Sequence, residues 1–119
     1  MRVVVVGVCA SGKTTLVQNL TRMGIEAYNA AQEHSQIKQL WKKKQPDILV
    51  MLDATLATIR IRRKIPWGEE RLIAQRERLA DAREHADLFI ETDRLTKEEV
   101  AQVILDYIRR KNDGSHNHS

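Results

Sequence analysis

The chain has a single cysteine, Cys9, among its 119 residues. One thiol cannot build a disulfide framework, and its scarcity suits a reducing, cytoplasmic setting. Aromatic residues make up only 4%, too few for the stacking platforms that single-strand nucleic-acid binders set along a basic groove. No apolar run approaches the ~20 residues that span a bilayer. The first apolar stretch leads straight into glycines, with no polar cleavage region after it, so neither a membrane span nor a secretory signal is expected. Internal repeats and low-complexity linkers are also lacking. The sequence therefore reads as one domain over residues 1–111, and the polar, His-containing segment 112–119 is set aside as a disordered tail with the look of a vector remnant.

What is present fits a soluble globular protein. Hydrophobic residues account for 42% and charged residues for 30%, and a chain of this length can bury roughly two-thirds of its unfolded surface. The net charge of +4 comes in short clusters: Lys42-Lys43-Lys44, Arg60 with Arg62-Arg63-Lys64, and Arg109-Arg110-Lys111. The phosphates of a small nucleotide account for such clusters more simply than a nucleic acid does, and nucleic acid is the lesser reading.

The most specific signal lies at residues 7–14, Gly-Val-Cys-Ala-Ser-Gly-Lys-Thr, directly after the apolar run Val3-Val4-Val5-Val6. This is a complete G-x-x-x-x-G-K-[ST] pattern. Its chemistry follows from its parts. Successive backbone N–H groups form an anion nest, the next helix adds its positive dipole end, and the lysine supplies a mobile charge for β/γ-phosphates. The expected cofactors are ATP and Mg²⁺. Gly7, Ala10, Ser11, Gly12, Lys13, Thr14 and Thr15 are the expected nucleotide-binding residues, with Gly7 and Gly12 permitting close backbone approach and the Thr14 hydroxyl a ligand of Mg²⁺.

Hydrophobic periodicity places these residues in an alternating order of strands and helices. Residues 2–6 read as a strand. A helix from about Gly12 carries Leu16, Val17, Leu20 and Met23 on one face and stops at Gly24. Residues 25–29 form a second, short strand, and Ser35 caps a helix bearing Ile37, Leu40 and Trp41 that ends by Pro46. Residues 47–53 contain the continuous run Ile-Leu-Val-Met-Leu, a strand buried on both faces. Residues 54–65 read as a basic helix broken by Pro66-Trp67-Gly68. Residues 69–86 read as one longer helix with Leu72, Ile73, Leu79, Ala80 and Ala86 in a stripe and its other faces charged and solvated. A last strand lies at 88–90, and the capping box Thr96-x-x-Glu99 opens a final helix with Val100, Val103, Ile104, Tyr107 and Ile108 inward. The sum is an α/β fold, a three-layer α/β/α arrangement around a mostly parallel sheet of about four strands.

With the loop, the strand ending Leu52-Asp53 and the Arg-rich segment after it, the chain resembles the P-loop nucleoside and nucleotide kinases, the thymidylate and deoxynucleoside kinases in particular. The resemblance covers most of the chain, and it implies ATP-dependent phosphoryl transfer with an arginine-bearing lid over Arg60, Arg62 and Arg63. It also has a gap. Those kinases carry a further strand and helices between the second strand and the one ending Leu-Asp, where here only about twenty residues intervene. That portion normally helps to build the acceptor pocket and supplies an acidic metal-site residue, so the chain resembles a reduced kinase core.

The remaining site candidates divide between chemistry and plain structure. The resemblance implies a base or metal-shell role for Glu33, since related kinases often place such a carboxylate after the second strand; the alternative is an exposed residue favouring a helix start. Asp53, at the carboxyl end of a central strand where open α/β sheets bind ligands, either meets metal or its water or caps the next helix. Lys13, Arg60 and Arg63 are expected to offset charge on the transferring phosphoryl group, against a solvated basic face for the arginines. His34 is a secondary candidate, Trp41 is assigned to the core and Trp67 is left open between the two. Cys9 lies near a helix start, which favours thiolate, although a small loop residue is the simpler reading. No Cys/His spacing indicates zinc.

Three functions follow. The first is a small phosphotransferase acting on a small-molecule acceptor. The second is a nucleotide-binding or slowly hydrolysing module working through a partner protein, and the third a nucleic-acid-associated NTPase. The absence of an N/T-K-x-D base-reading motif argues against a GTPase switch.

Overall fold

The computed structural model describes residues 1–117, with side chains described through residue 112. Four strands form one parallel sheet: β1 (Arg2–Gly7), β2 (Glu26–Asn29), β3 (Ile48–Asp53) and β4 (Leu88–Glu91), in the spatial order β2-β1-β3-β4. The helices are α1 (Lys13–Arg22), α2 (Leu56–Arg62), α3 (Glu69–Arg78), α4 (Ala80–His85) and α5 (Lys97–Asn117). As described, α5 runs into the segment set aside as a tail; residues 118–119 lie outside the described residues.

Strand alternation divides the core in two. Val3 and Val5 of β1 and Ile48, Val50 and Leu52 of β3 pack with Leu16 and Leu20 of α1 and Val100, Ala101 and Ile104 of α5. Val4 and Val6, with Leu49 and Met51, face Trp41, Ile59, Leu72, Leu79 and Ala82 on the opposite side. Helices thus cover both faces, which is why β1 and β3 are continuously apolar rather than alternating. Val3, Val4, Val5 and Val6 are all fully buried. At roughly 1.5–3 kcal/mol for burying a Val-sized side chain, the strand that delivers residues 7–14 is among the best anchored parts of the chain.

From β1 the chain moves to β2 on one side of the sheet and later to β3 on the other. The strand order therefore reverses at β1, and the crevice beyond the carboxyl ends of β1 and β3 is where such sheets receive ligands.

Three expected elements differ. In place of the helix expected after Ser35 there is only a short 3₁₀ turn, Leu40–Lys44, with another, Gln32–His34, just before Ser35; the Ser35 hydroxyl accepts the N–H of Ile37 in a local turn, and Ile37 is exposed. The basic helix over 54–65 shrinks to Leu56–Arg62, capped by Thr55. The long helix over 69–86 divides at Leu79 into α3 and α4, and the inward stripe is Leu72, Gln75, Leu79 and Ala82, with Ile73 and Ala80 exposed. The Thr96–Glu99 capping box forms in both directions, with Thr96 N–H to Glu99 at 2.9 Å and Glu99 N–H to the Thr96 hydroxyl at 3.1 Å.

Asp93 ties the start of α2 to the turn after β4. Its carboxylate accepts the N–H and the hydroxyl of Thr55, each at 2.8 Å. Burial pushes this carboxyl up, but the hydrogen bonds from Thr55 and Thr58 outweigh it and hold the pKa at about 2. A depressed folded-state value stabilises the fold above the unfolded pKa of roughly 3.9, and that stabilisation is lost as pH falls towards 2. Asp93→Asn is therefore expected to flatten part of the acid limb between about pH 4 and 2. Urea midpoints measured across that range check it; an unchanged acid limb would remove Asp93 as a contributor.

Candidate functional site

The loop between β1 and α1 makes its turn through two left-handed residues, Ala10 at φ 58° and Gly12 at φ 104°. Such turns direct neighbouring backbone N–H groups to a common side. Gly12 contributes no capping side chain to α1, and the first turn of that helix holds no acidic residue. Its N–H groups thus face the crevice without a built-in anion.

Lys13 folds back over the loop. Its ammonium donates to Gly7 O at 2.7 Å, to Val8 O at 3.2 Å and to the Glu33 carboxylate. Glu33 is only 3% exposed, so of the two sequence readings the exposed helix-start residue is set aside. It sits in the 3₁₀ turn just after β2, and Arg78 of α3 steadies that turn by donating to Glu33 O at 3.2 Å. Thr14, exposed on the first turn of α1, has its hydroxyl 3.4 Å from the Asn29 amide at the end of β2. The Ser11 side chain is buried, and its oxygen lies 2.8 Å from where a Cβ on residue 7 would stand, beneath the loop.

The three arginines of the basic segment take different positions. Arg62, rather than Arg60 or Arg63, braces the loop: it donates to Ala10 O at 2.8 Å, to the Thr92 hydroxyl at 3.0 Å and to Thr92 O at 2.8 Å. Arg63 lines the cleft that holds Lys13, Thr14 and Glu33, a space of about 550 Å³. Arg60 is exposed one helical turn before. Asp53 neither caps α2 nor stands free. Its two carboxylate oxygens meet Arg76 of α3, Nε at 3.2 Å and Nη2 at 3.2 Å.

Several supporting residues were missed from the sequence. Gln75, buried on the apolar stripe of α3, accepts the Cys9 N–H at 2.9 Å and donates to the Cys9 sulfur at 3.3 Å. Thr92, also buried, donates its hydroxyl proton to Ser11 O at 2.9 Å. Gln32 holds Trp41 N–H, Ile37 O and Arg78 O. Gln75 was detectable in principle, since a glutamine spaced with Leu72, Leu79 and Ala82 on a buried face must find polar partners there. Trp41 is in the core as read, with its indole N–H on Asp81 at 3.0 Å.

Two further cavities adjoin the loop. One, about 490 Å³, is lined by Leu16, Leu95 and Val100 with Ser11 and Thr15, and also by the charged Arg62, Lys97 and Glu98. The other, about 650 Å³, lies on the far side of the loop between Cys9 and His34 and the start of α3, and includes Trp67, Arg71 and Arg78. Among the described residues no helix is long and apolar enough to cross a membrane. Set against models of protein families and against curated proteins, the chain matches none.

Proposed function

We propose that the chain is a small ATP-dependent phosphotransferase of the nucleoside or nucleotide kinase type. The observation that carries this reading is the placement of Lys13. Its ammonium stands over the 7–14 loop at the sheet's switch point, held by two loop carbonyls and by a buried carboxylate, in front of an uncapped helix start. Polyphosphate would lie along the loop N–H groups, with Lys13 turning from the carbonyls to the β/γ-phosphates.

The cavity beside Leu16, Leu95 and Val100 suits a nucleoside base, and its volume is in the range of small-ligand sites. The cavity past Cys9 and His34 suits an acceptor. Its two arginines favour one that carries negative charge, and the presence of a second cavity beside the loop favours an enzyme over a binding module.

Oxygen donors at the start of α1 fit a hard cation, so Thr14 is the residue to hold Mg²⁺. When bound, Mg²⁺ would offset charge on the phosphate oxygens. Asp53, engaged by Arg76, would reach that metal only through water or by releasing its partner. Glu33 would orient the acceptor hydroxyl once Lys13 moves to phosphate, and Arg63 from the cleft wall would meet the transferring charge.

The test is phosphoryl transfer from labelled ATP to a panel of nucleosides, nucleotides and sugars, run on the wild type and on Glu33→Gln. The wild type is expected to label a nucleoside or nucleotide, and Glu33→Gln to be slower by on the order of 10²–10⁴, as for loss of a general base. ATP binding with transfer to no acceptor would end the kinase reading in favour of a nucleotide-binding module. Transfer undiminished in Glu33→Gln would move the base elsewhere, with Asp53 next to be replaced.

A further inference from the structure

Cys9 and His34 are separated by 25 positions, which is why no zinc spacing is visible in the sequence. The fold nevertheless brings them together. The Cys9 sulfur lies 3.6 Å from His34 Nε2, and that nitrogen lies 3.8 Å from Glu33 Oε2. One ligand atom from each of Cys9, Glu33 and His34 falls within 4.8 Å of the others.

We propose that these three side chains form a zinc-binding site on the flank of the loop. Tetrahedral zinc, with bonds of roughly 2.3 Å to sulfur and 2.0–2.1 Å to nitrogen and oxygen, sets S and N about 3.5 Å apart and N and O about 3.3 Å apart. The sulfur–nitrogen pair already has that separation. The nitrogen–oxygen pair must close by about half an ångström, a movement the exposed His34 side chain can make.

A second observation points the same way. Glu33 Oε1 is buried with no hydrogen-bond partner, while Oε2, the oxygen 3.8 Å from His34 Nε2, serves Lys13, so the carboxylate has acceptor capacity to spare. Burying such an oxygen without a partner is costly, and a cation relieves it. The ligand set selects the metal. Thiolate, imidazole and carboxylate suit zinc, whereas magnesium prefers oxygen alone. On binding, the Cys9 thiol releases its proton to solvent and its sulfur bonds the metal. Three protein ligands leave the fourth position to water. None of this depends on the nucleotide reading.

The test uses the full chain with His116→Ala and His118→Ala, so that the terminal histidines do not bind metal themselves. Cobalt(II) is titrated in, followed by zinc in competition with a chromophoric chelator. One cobalt per chain is expected, with a thiolate-to-cobalt charge-transfer band and the intense visible bands of tetrahedral coordination. Adding Cys9→Ser is expected to abolish the charge-transfer band, and Cys9→Ser or His34→Ala to weaken zinc by tenfold or more. His85→Ala, outside the cluster, is expected to change neither. The proposal fails if the parent shows no thiolate band with cobalt, or if its zinc affinity is the same after Cys9→Ser and His34→Ala.

Discussion

Replacing Lys13 by Ala is expected to have two separable effects, a loss of Mg-ATP affinity on the order of a hundredfold, equivalent to about 2.7 kcal/mol, and a loss of fold stability. The first follows from removing the charge that the proposed function aims at the β/γ-phosphates. The second follows from the Glu33 carboxylate. With side chains only 10% and 5% exposed, Lys13 and Glu33 form a buried pair, and removing one member of such a pair costs about 3–5 kcal/mol because the other charge is left uncompensated. Calorimetry measures the first and urea unfolding the second. The double variant Lys13→Ala/Glu33→Gln separates them, since it is expected to regain stability without regaining affinity. Equal affinity in the wild type and Lys13→Ala would sink the nucleotide assignment.

Gly7→Ala is expected to be the most damaging of the glycine-to-alanine changes among the described residues. A Cβ there would be driven into the carbonyl oxygen of Leu52 on the neighbouring strand and would stand 2.8 Å from the Ser11 hydroxyl. Both obstacles belong to the packed junction of β1, β3 and the loop, so neither yields easily. Overpacking of this kind costs typically 1–3 kcal/mol and more where backbone is the obstacle. Gly24→Ala supplies the comparison: its φ of 82° disfavours a side chain, yet nothing lies within 4 Å of the new methyl, and a cost of about 1 kcal/mol is expected. Urea midpoints should rank Gly7→Ala well below Gly24→Ala. Equal midpoints would mean that the β1–β3 approach is looser than described.

The parallel strands and their α/β order were legible because β1 and β3 are unbroken apolar runs, a pattern that few other environments require. The loop was legible because its glycines, lysine and threonine occur at fixed spacing. The division of α3 from α4 was hidden, since Leu79 continues the apolar stripe and no glycine or proline marks the break. Charge was the least legible feature. Arg76 and Arg78 read as part of a solvated face, yet their partners are Asp53 and the Glu33 carbonyl, 23 and 45 positions away. Periodicity reports which side of a helix is wet, and a long guanidinium can cross from that side to a distant acceptor. Glu33 was recognised as a candidate, but its burial and its pairing with Lys13, 20 positions away, are encoded by no local pattern.

The brace from Arg62 and Thr92 to the backbone of Ala10 and Ser11 has a consequence for the order in which the protein is made. The loop is complete in sequence after 14 residues, but its supports arrive at positions 62 and 92. A nascent chain that has emerged only as far as β4 therefore carries every residue of the motif without the hydroxyl that fixes Ser11 O. Ribosome-held chains lengthened stepwise past residue 92 should acquire the finished loop late, when the last βα unit docks, although its amino acids were among the first to be joined.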